Sequence, residues 1–171
     1  MKTVIIQGSS RKYGNTNKVV NYLQEALDCD FIDLKNYVIS NYDYEGRNQN
    51  DDFLPLIREV VEYDLVIFAT PIYWYSMSGI MKTFFDRITD CLKLEKETGR
   101  KLRGKSMAML CCGSVKESIL PIQKPFEMPF KESAIYLGMK YKGSAFTWIE
   151  NDEIPEEVKA NINDFVEKIM D

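Results

Sequence analysis

The sequence predicts an α/β fold, a five-stranded parallel sheet with helices on both faces, and three observations predict it. Apolar runs of strand length alternate with amphipathic stretches from one end of the chain to the other, which is how a parallel sheet with crossover helices reads. The first run stops at Gly8 and passes through a loop of small and basic residues into a helix beginning at Asn15. The 171 residues, 45% of them hydrophobic, suffice for one sizeable core, and no Pro/Gly/Ser-rich linker or charge block divides them. One domain spanning residues 1–171 is therefore expected.

The elements follow in order. The five strands are expected at Lys2 to Gln7, Asp30 to Leu34, Asp64 to Ala69, Ser106 to Cys112 and Lys140 to Trp148. Val19, Val20, Leu23 and Leu27 recur at helical spacing after the first strand, and Asp52 to Val61 makes a shorter helix. A third helix starts near Ser78 and turns Ile80, Met81, Phe84, Phe85, Ile88 and Leu92 to one face. Phe130, Ala134 and Leu137 mark a fourth, closed by Gly138, whose start Pro121, Pro125 and Pro129 should make irregular. The last runs from about Pro155 to Met170. The basic stretch Lys93 to Lys105 reads as a solvated loop, and the long polar segment Lys35 to Asp51 as either functional or mobile.

Composition excludes several functions. A net charge of −4 gives no electrostatic footprint for nucleic acid. No apolar run is long enough to span a bilayer, and Met1-Lys2-Thr3 leads straight into a core strand, so no membrane association and a cytoplasmic location are expected. Cys29, Cys91, Cys111 and Cys112 have neither metal-ligand spacing nor a disulfide framework, so no metal site is expected. With no histidine the usual general base is missing, and no catalytic side chain is nominated; any chemistry is borrowed from a cofactor.

Three turns carry that expectation. In Val4 to Asn17, VIIQGSSRKYGNTN, a strand meets a helix through backbone amides, the hydroxyls of Ser9, Ser10 and Thr16, and the cations Arg11 and Lys12. Such a turn suits a phosphate, because the orphan amides and the positive end of the dipole point at it. It spells neither GxxxxGK[ST] nor GxGxxG, which argues against a nucleoside triphosphate or a dinucleotide. After the third strand, TPIYWYSMSG offers Pro71, amides from Ile72 to Tyr75 and the rings of Tyr73 and Trp74 to a flat ligand head; a core or interface patch would look the same. After the fourth, Cys111-Cys112-Gly113-Ser114 makes a small-residue turn at the same sheet edge, where ligands of open parallel sheets bind. Tyr42, Tyr44, Phe126 and Phe130 are candidates for an acceptor pocket or a subunit contact.

GSSRKYGNTN, then TPIYWYSMSGIMKTFFDR, then CCGS resemble the NAD(P)H-dependent FMN reductases of the flavodoxin-like superfamily, over nearly the whole chain. The resemblance implies a three-layer sandwich with strand order 2-1-3-4-5. It also implies FMN, with its phosphate on Ser9, Arg11, Asn15, Thr16 and Asn17. Pro71, Ile72, Tyr73, Trp74 and Ser76 would hold the isoalloxazine, and Gly113 and Ser114 would close the ring site. NAD(P)H would be the hydride donor, and a quinone, nitro or azo compound or free flavin the acceptor. Similar proteins are commonly homodimers, and Lys82 and Asp86-Arg87 match family residues whose helical position implies a structural or subunit-contact role. The cysteine cluster that some relatives carry in the segment matching Lys35 to Asp51 is missing, so no iron–sulfur centre is implied. A flavodoxin-type electron carrier without nicotinamide turnover is the alternative; the basic residues of the phosphate loop favour the reductase, since an added cation suits a phosphate of NADPH.

Overall fold

The computed structural model describes residues 1–171. Five strands, β1 (Thr3–Gln7), β2 (Asp30–Asp33), β3 (Leu65–Pro71), β4 (Ser106–Gly113) and β5 (Lys140–Trp148), form one parallel sheet in the order β2-β1-β3-β4-β5, as the resemblance implied. Seven helices accompany them: α1 (Asn15–Ala26), α2 (Phe53–Val60), α3 (Gly79–Lys93), α4 (Lys96–Arg100), α5 (Lys116–Ile119), α6 (Gln123–Leu137) and α7 (Glu156–Met170). Right-handed crossovers in this strand order put α1 on one face and α2, α3 and α6 on the other, and α7 packs beside α1. β1, β3 and β4 are buried at every residue, which is why they read as unbroken apolar runs rather than alternating ones.

On the α2–α3–α6 face a chain of rings fills the core: Phe53 meets Phe84, Phe84 and Phe85 meet Phe68, and Phe85 meets Phe130, which lies against Phe126. Phe126 and Phe130 are thus core residues, not part of an acceptor pocket or a subunit contact. The expected irregular start of the fourth helix is resolved into α5, a 3₁₀ turn at Leu120–Ile122 and then α6. Pro125 falls in the first turn of α6, where no intrahelical amide is needed, and only Pro129 removes an interior bond. Gly138 ends α6 with φ +71°.

The basic stretch after α3 is not all loop. Its first half forms α4, because Gly99 docks directly on the end of α3: a Cβ there would stand 2.4 Å from the Cys91 carbonyl oxygen. The long segment after β2 is also tied down. Arg87 of α3, with no exposed surface, pairs with Asp51 and with Asp90, donates to the Ser40 carbonyl at 3.0 Å and lies 4.8 Å from the Phe53 ring centre. Arg87 is thus structural, whereas Lys82 and Asp86 form an exposed pair one turn away.

Candidate functional site

The strand register brings three turns together at the carboxyl edge of the sheet. Gln7 lies beside Ala69 and Pro71 beside Cys112, so the ends of β1, β3 and β4 are neighbours. Hydrogen bonds continue the ladder into the turns: Gly8 donates to the Ala69 carbonyl at 2.8 Å, and Ile72 to the Cys112 carbonyl at 3.0 Å. Ser78, the N-cap of α3, locks the first two turns. Its hydroxyl donates to the Gly8 carbonyl at 2.6 Å and accepts from Met81 at 3.1 Å, while its amide donates to Thr70 Oγ1 at 3.0 Å. Gly8 is required there, since a Cβ would come within 2.9 Å of the Met81 side chain.

A cavity of about 220 Å³ opens between these turns. The first turn lines it with Ser9, Arg11, Gly14, Asn15 and Thr16, the second with Pro71, Ile72 and Tyr73, and the third with Cys112, Gly113 and Ser114. A second cavity of about 230 Å³ shares Ile72, Gly113 and Ser114 and adds Trp74, Tyr75 and Ser118. Of the twelve residues named from sequence, ten line one or both. Asn17 and Ser76 line neither.

The first turn is built for an anion. α1 starts at Gly14, which supplies no side-chain cap, and Lys18 is the first residue whose amide is taken up, by the Gly14 carbonyl at 3.1 Å. The amides of Asn15, Thr16 and Asn17 therefore lack intrahelical partners. Ser9 and Thr16 are buried around them, and Arg11 folds across Gly14, whose missing Cβ would meet the arginine Cβ at 3.1 Å. With the dipole and the guanidinium, these donors match a phosphate.

The second turn differs from the sequence expectation. Amides from Ile72 to Tyr75 were expected to face a ligand, but Ile72 is bound to Cys112, and Tyr73 and Ser76 bond each other's backbone reciprocally at 2.9 and 3.0 Å. Only Trp74 and Tyr75 keep unpaired amides. Both have positive φ, 48° and 64°, the geometry of a two-residue I′ turn. Their rings face outward, with Trp74 95% exposed. Tyr73 reaches across the mouth, its hydroxyl 3.1 Å from Ser10 Oγ.

At the third turn, the space at Gly113 is occupied by the chain itself: a Cβ would stand 2.7 Å from Ile119 Cγ1 of α5. Cys112 lines the first cavity, a residue that sequence reasoning left as a buried thiol. Burial pushes its thiol up to about 11, so it is protonated at neutral pH. Tyr42 and Tyr44 are absent from the site. They pack edge to face, and the Lys93 ammonium stands 5.4 and 5.1 Å from their ring centres. Lys93 ends α3, about 22 Å along the helix from Ser78 at 1.5 Å per residue.

A family model, NADPH-dependent FMN reductase, matches residues 1–125. The chain belongs to that family. The match covers all three turns, and FMN is the cofactor and NAD(P)H the co-substrate of the family. The NAD(P)H-dependent FMN-containing oxidoreductase YwqN of Bacillus subtilis is 30% identical over 153 residues, covering 84% of this FMN reductase chain and 82% of the relative. An NADPH azoreductase of a Bacillus species, strain OY1-2, is 29% identical over 90 residues, 52% of this chain and 51% of the azoreductase. Among solved structures, the Trp repressor binding protein of Bacillus subtilis superposes with a TM-score of 0.75 at 23% identity, over 96% of this chain and 97% of that one, which supports the flavodoxin-like fold. The reductase's own geometry fits FMN: the uncapped helix start and Arg11 suit its single phosphate, and the cavities between the turns lead from there to the exposed aromatics.

Proposed function

We propose that the chain works as one FMN-binding domain that oxidises NAD(P)H and reduces a small acceptor. Ser9, Arg11, Asn15, Thr16 and Asn17 hold the phosphate through hydroxyls, amides and the guanidinium. Pro71, Ile72, Tyr73, Trp74 and Ser76 frame the ring, and Gly113 and Ser114 close it on the β4 side. When bound, FMN would supply the redox chemistry between the nicotinamide and an acceptor such as a quinone, nitro or azo compound or free flavin. The protein's part is to orient the two rings and hold the flavin in place. The unpaired amides of Trp74 and Tyr75 stand ready to stabilise negative charge at the ring's polar edge. The observation that carries this reading is the convergence of three turns, one an uncapped helix start, on joined cavities.

A visible spectrum of the purified protein followed by anaerobic titration with NADPH and NADH tests it. Oxidised flavin bands that bleach with a nicotinamide are expected, with turnover once menadione is added. Bound FMN without turnover would instead mark a flavodoxin-type carrier.

The reductase acts as a homodimer in this reading. The groove between α3 and α6, about 530 Å³ and lined by Phe85, Ile88, Leu92, Ile135 and Tyr136, is the apolar surface best suited to a second copy. A cytoplasmic location fits the four unpaired cysteines, which suit a reducing compartment.

A further inference from the structure

Four cations belong to the elements that border the FMN cavity, two on the first turn, one on α1 and one on α5, and the two lysines of the helices are held by acidic residues. Arg11 lines the cavity itself. Lys18 donates to the Asp152 carbonyl at 2.9 Å and pairs with the same residue's carboxylate. Lys116 holds Glu157 at 2.6 Å and stands 5.4 Å from the Trp148 ring centre. Arg11 and Lys12 have no acidic partner, and of the two only Lys12 lies outside the cavity lining. Its ammonium stands 5.5 Å from the ring centre of Tyr13, which is 81% exposed.

The turn after β5 carries the other sign. Beyond β5 a tight turn, Glu150-Asn151-Asp152-Glu153, closes on itself through reciprocal backbone bonds at 3.0 and 2.8 Å, exposing carboxylates beside the end of the sheet. Only Asp152 is neutralised by a lysine. A donor carrying phosphates gains nothing from those carboxylates and most from the cations of the first turn that no carboxylate holds. NADPH and NADH differ by a single 2′-phosphate on the adenosine ribose, so an uncommitted lysine beside an exposed ring is positioned to tell them apart.

We infer that Lys12 binds the 2′-phosphate of NADPH, with Tyr13 as the surface on which the adenine rests, making the first turn the determinant of donor selectivity. The inference rests on the reductase reading above.

Calorimetric titration of the FMN-loaded protein with 2′,5′-ADP and with 5′-AMP tests it directly. Wild type should bind the bisphosphate more tightly. Lys12→Ala should weaken the bisphosphate about fivefold, the scale of one exposed charge pair, and leave 5′-AMP unchanged, while Lys12→Arg retains the preference. KM for NADPH should rise by the same factor with kcat and the KM for NADH unmoved, and the effect should shrink in high salt. Equal losses for both adenosine phosphates, or none, overturn the assignment. If both nicotinamides bleach the flavin and Lys12→Ala leaves their ratio intact, only this inference falls. If neither bleaches it, the reductase reading falls too.

Discussion

Trp74 and Tyr75 hold the left-handed backbone that Asn and Gly adopt most easily, at a cost of about 1 kcal/mol or more for each bulky residue. A strained turn that presents two outward rings is a mark of function outweighing local preference. Replacing the pair by Asn-Gly should raise the melting temperature of the FMN-free protein while weakening FMN about tenfold, read by flavin fluorescence, because the aromatic surface is lost. An unchanged affinity would remove these rings from the site. Gly113 makes a second residue-level case. Gly113→Ala drives a methyl into Ile119 Cγ1 and Cδ1, at 2.7 and 2.8 Å, and should cost about 1 to 3 kcal/mol in urea unfolding. In an Ile119→Ala background that added cost should largely vanish, since both colliding atoms are gone. A cost that persists would locate the constraint in the backbone.

Among elements, the segment from Tyr37 to Asp51 is tied to α3, most heavily through Arg87. Burial works against the Asp51 charge, but hydrogen bonds from the Arg87 guanidinium and from the amides of Ser40 and Phe53 prevail and hold its carboxyl below the ordinary 3.8. The unfolded chain therefore takes up this proton more readily than the folded one. Asp51 contributes its full stability above pH 3.8, and the contribution is lost as pH falls through the lower folded value. Arg87→Met leaves two buried carboxylates without their cation and should cost about 3 kcal/mol or more. Limited proteolysis should then cut between residues 37 and 51, with FMN affinity kept because the start of α3 is fixed separately by Ser78. Cutting no faster than in wild type would contradict the anchor. From sequence, Lys35 to Asp51 offered only polar composition. Its partner lies 36 residues beyond Asp51, and the resemblance marked Arg87 only as structural or subunit-contacting, without showing what it meets. α4 escaped notice for a related reason, since Gly99 reads as a loop residue until its contact with Cys91 is known.

At the scale of the whole molecule, the order of strands decides what the sequence could say. All five strands were legible because apolar runs and turn residues are local signals, and ten of the twelve residues named for FMN line the cavities. Which amides of the second turn remain unpaired was not legible, because that depends on the neighbouring strand: Ile72 is taken by Cys112, a pairing that only the β3–β4 register makes. Association depends in the same way on surfaces that no single segment contains. The α3–α6 groove leaves Ile135 58% and Tyr136 78% exposed beside Leu92, an apolar surface that a second copy would cover. A stable interface buries about 800 Å² on each partner, so a dimer built here extends past the groove onto its polar rim. Sedimentation at micromolar concentration should therefore give twice the 19.9 kDa chain mass. Tyr136→Glu should shift that equilibrium toward monomer, because the isologous symmetry of a dimer buries the new charge twice. FMN affinity should survive the substitution, because Tyr136 lines neither FMN cavity. A wild-type protein that sediments as a monomer at every concentration would instead leave the groove open to some other partner.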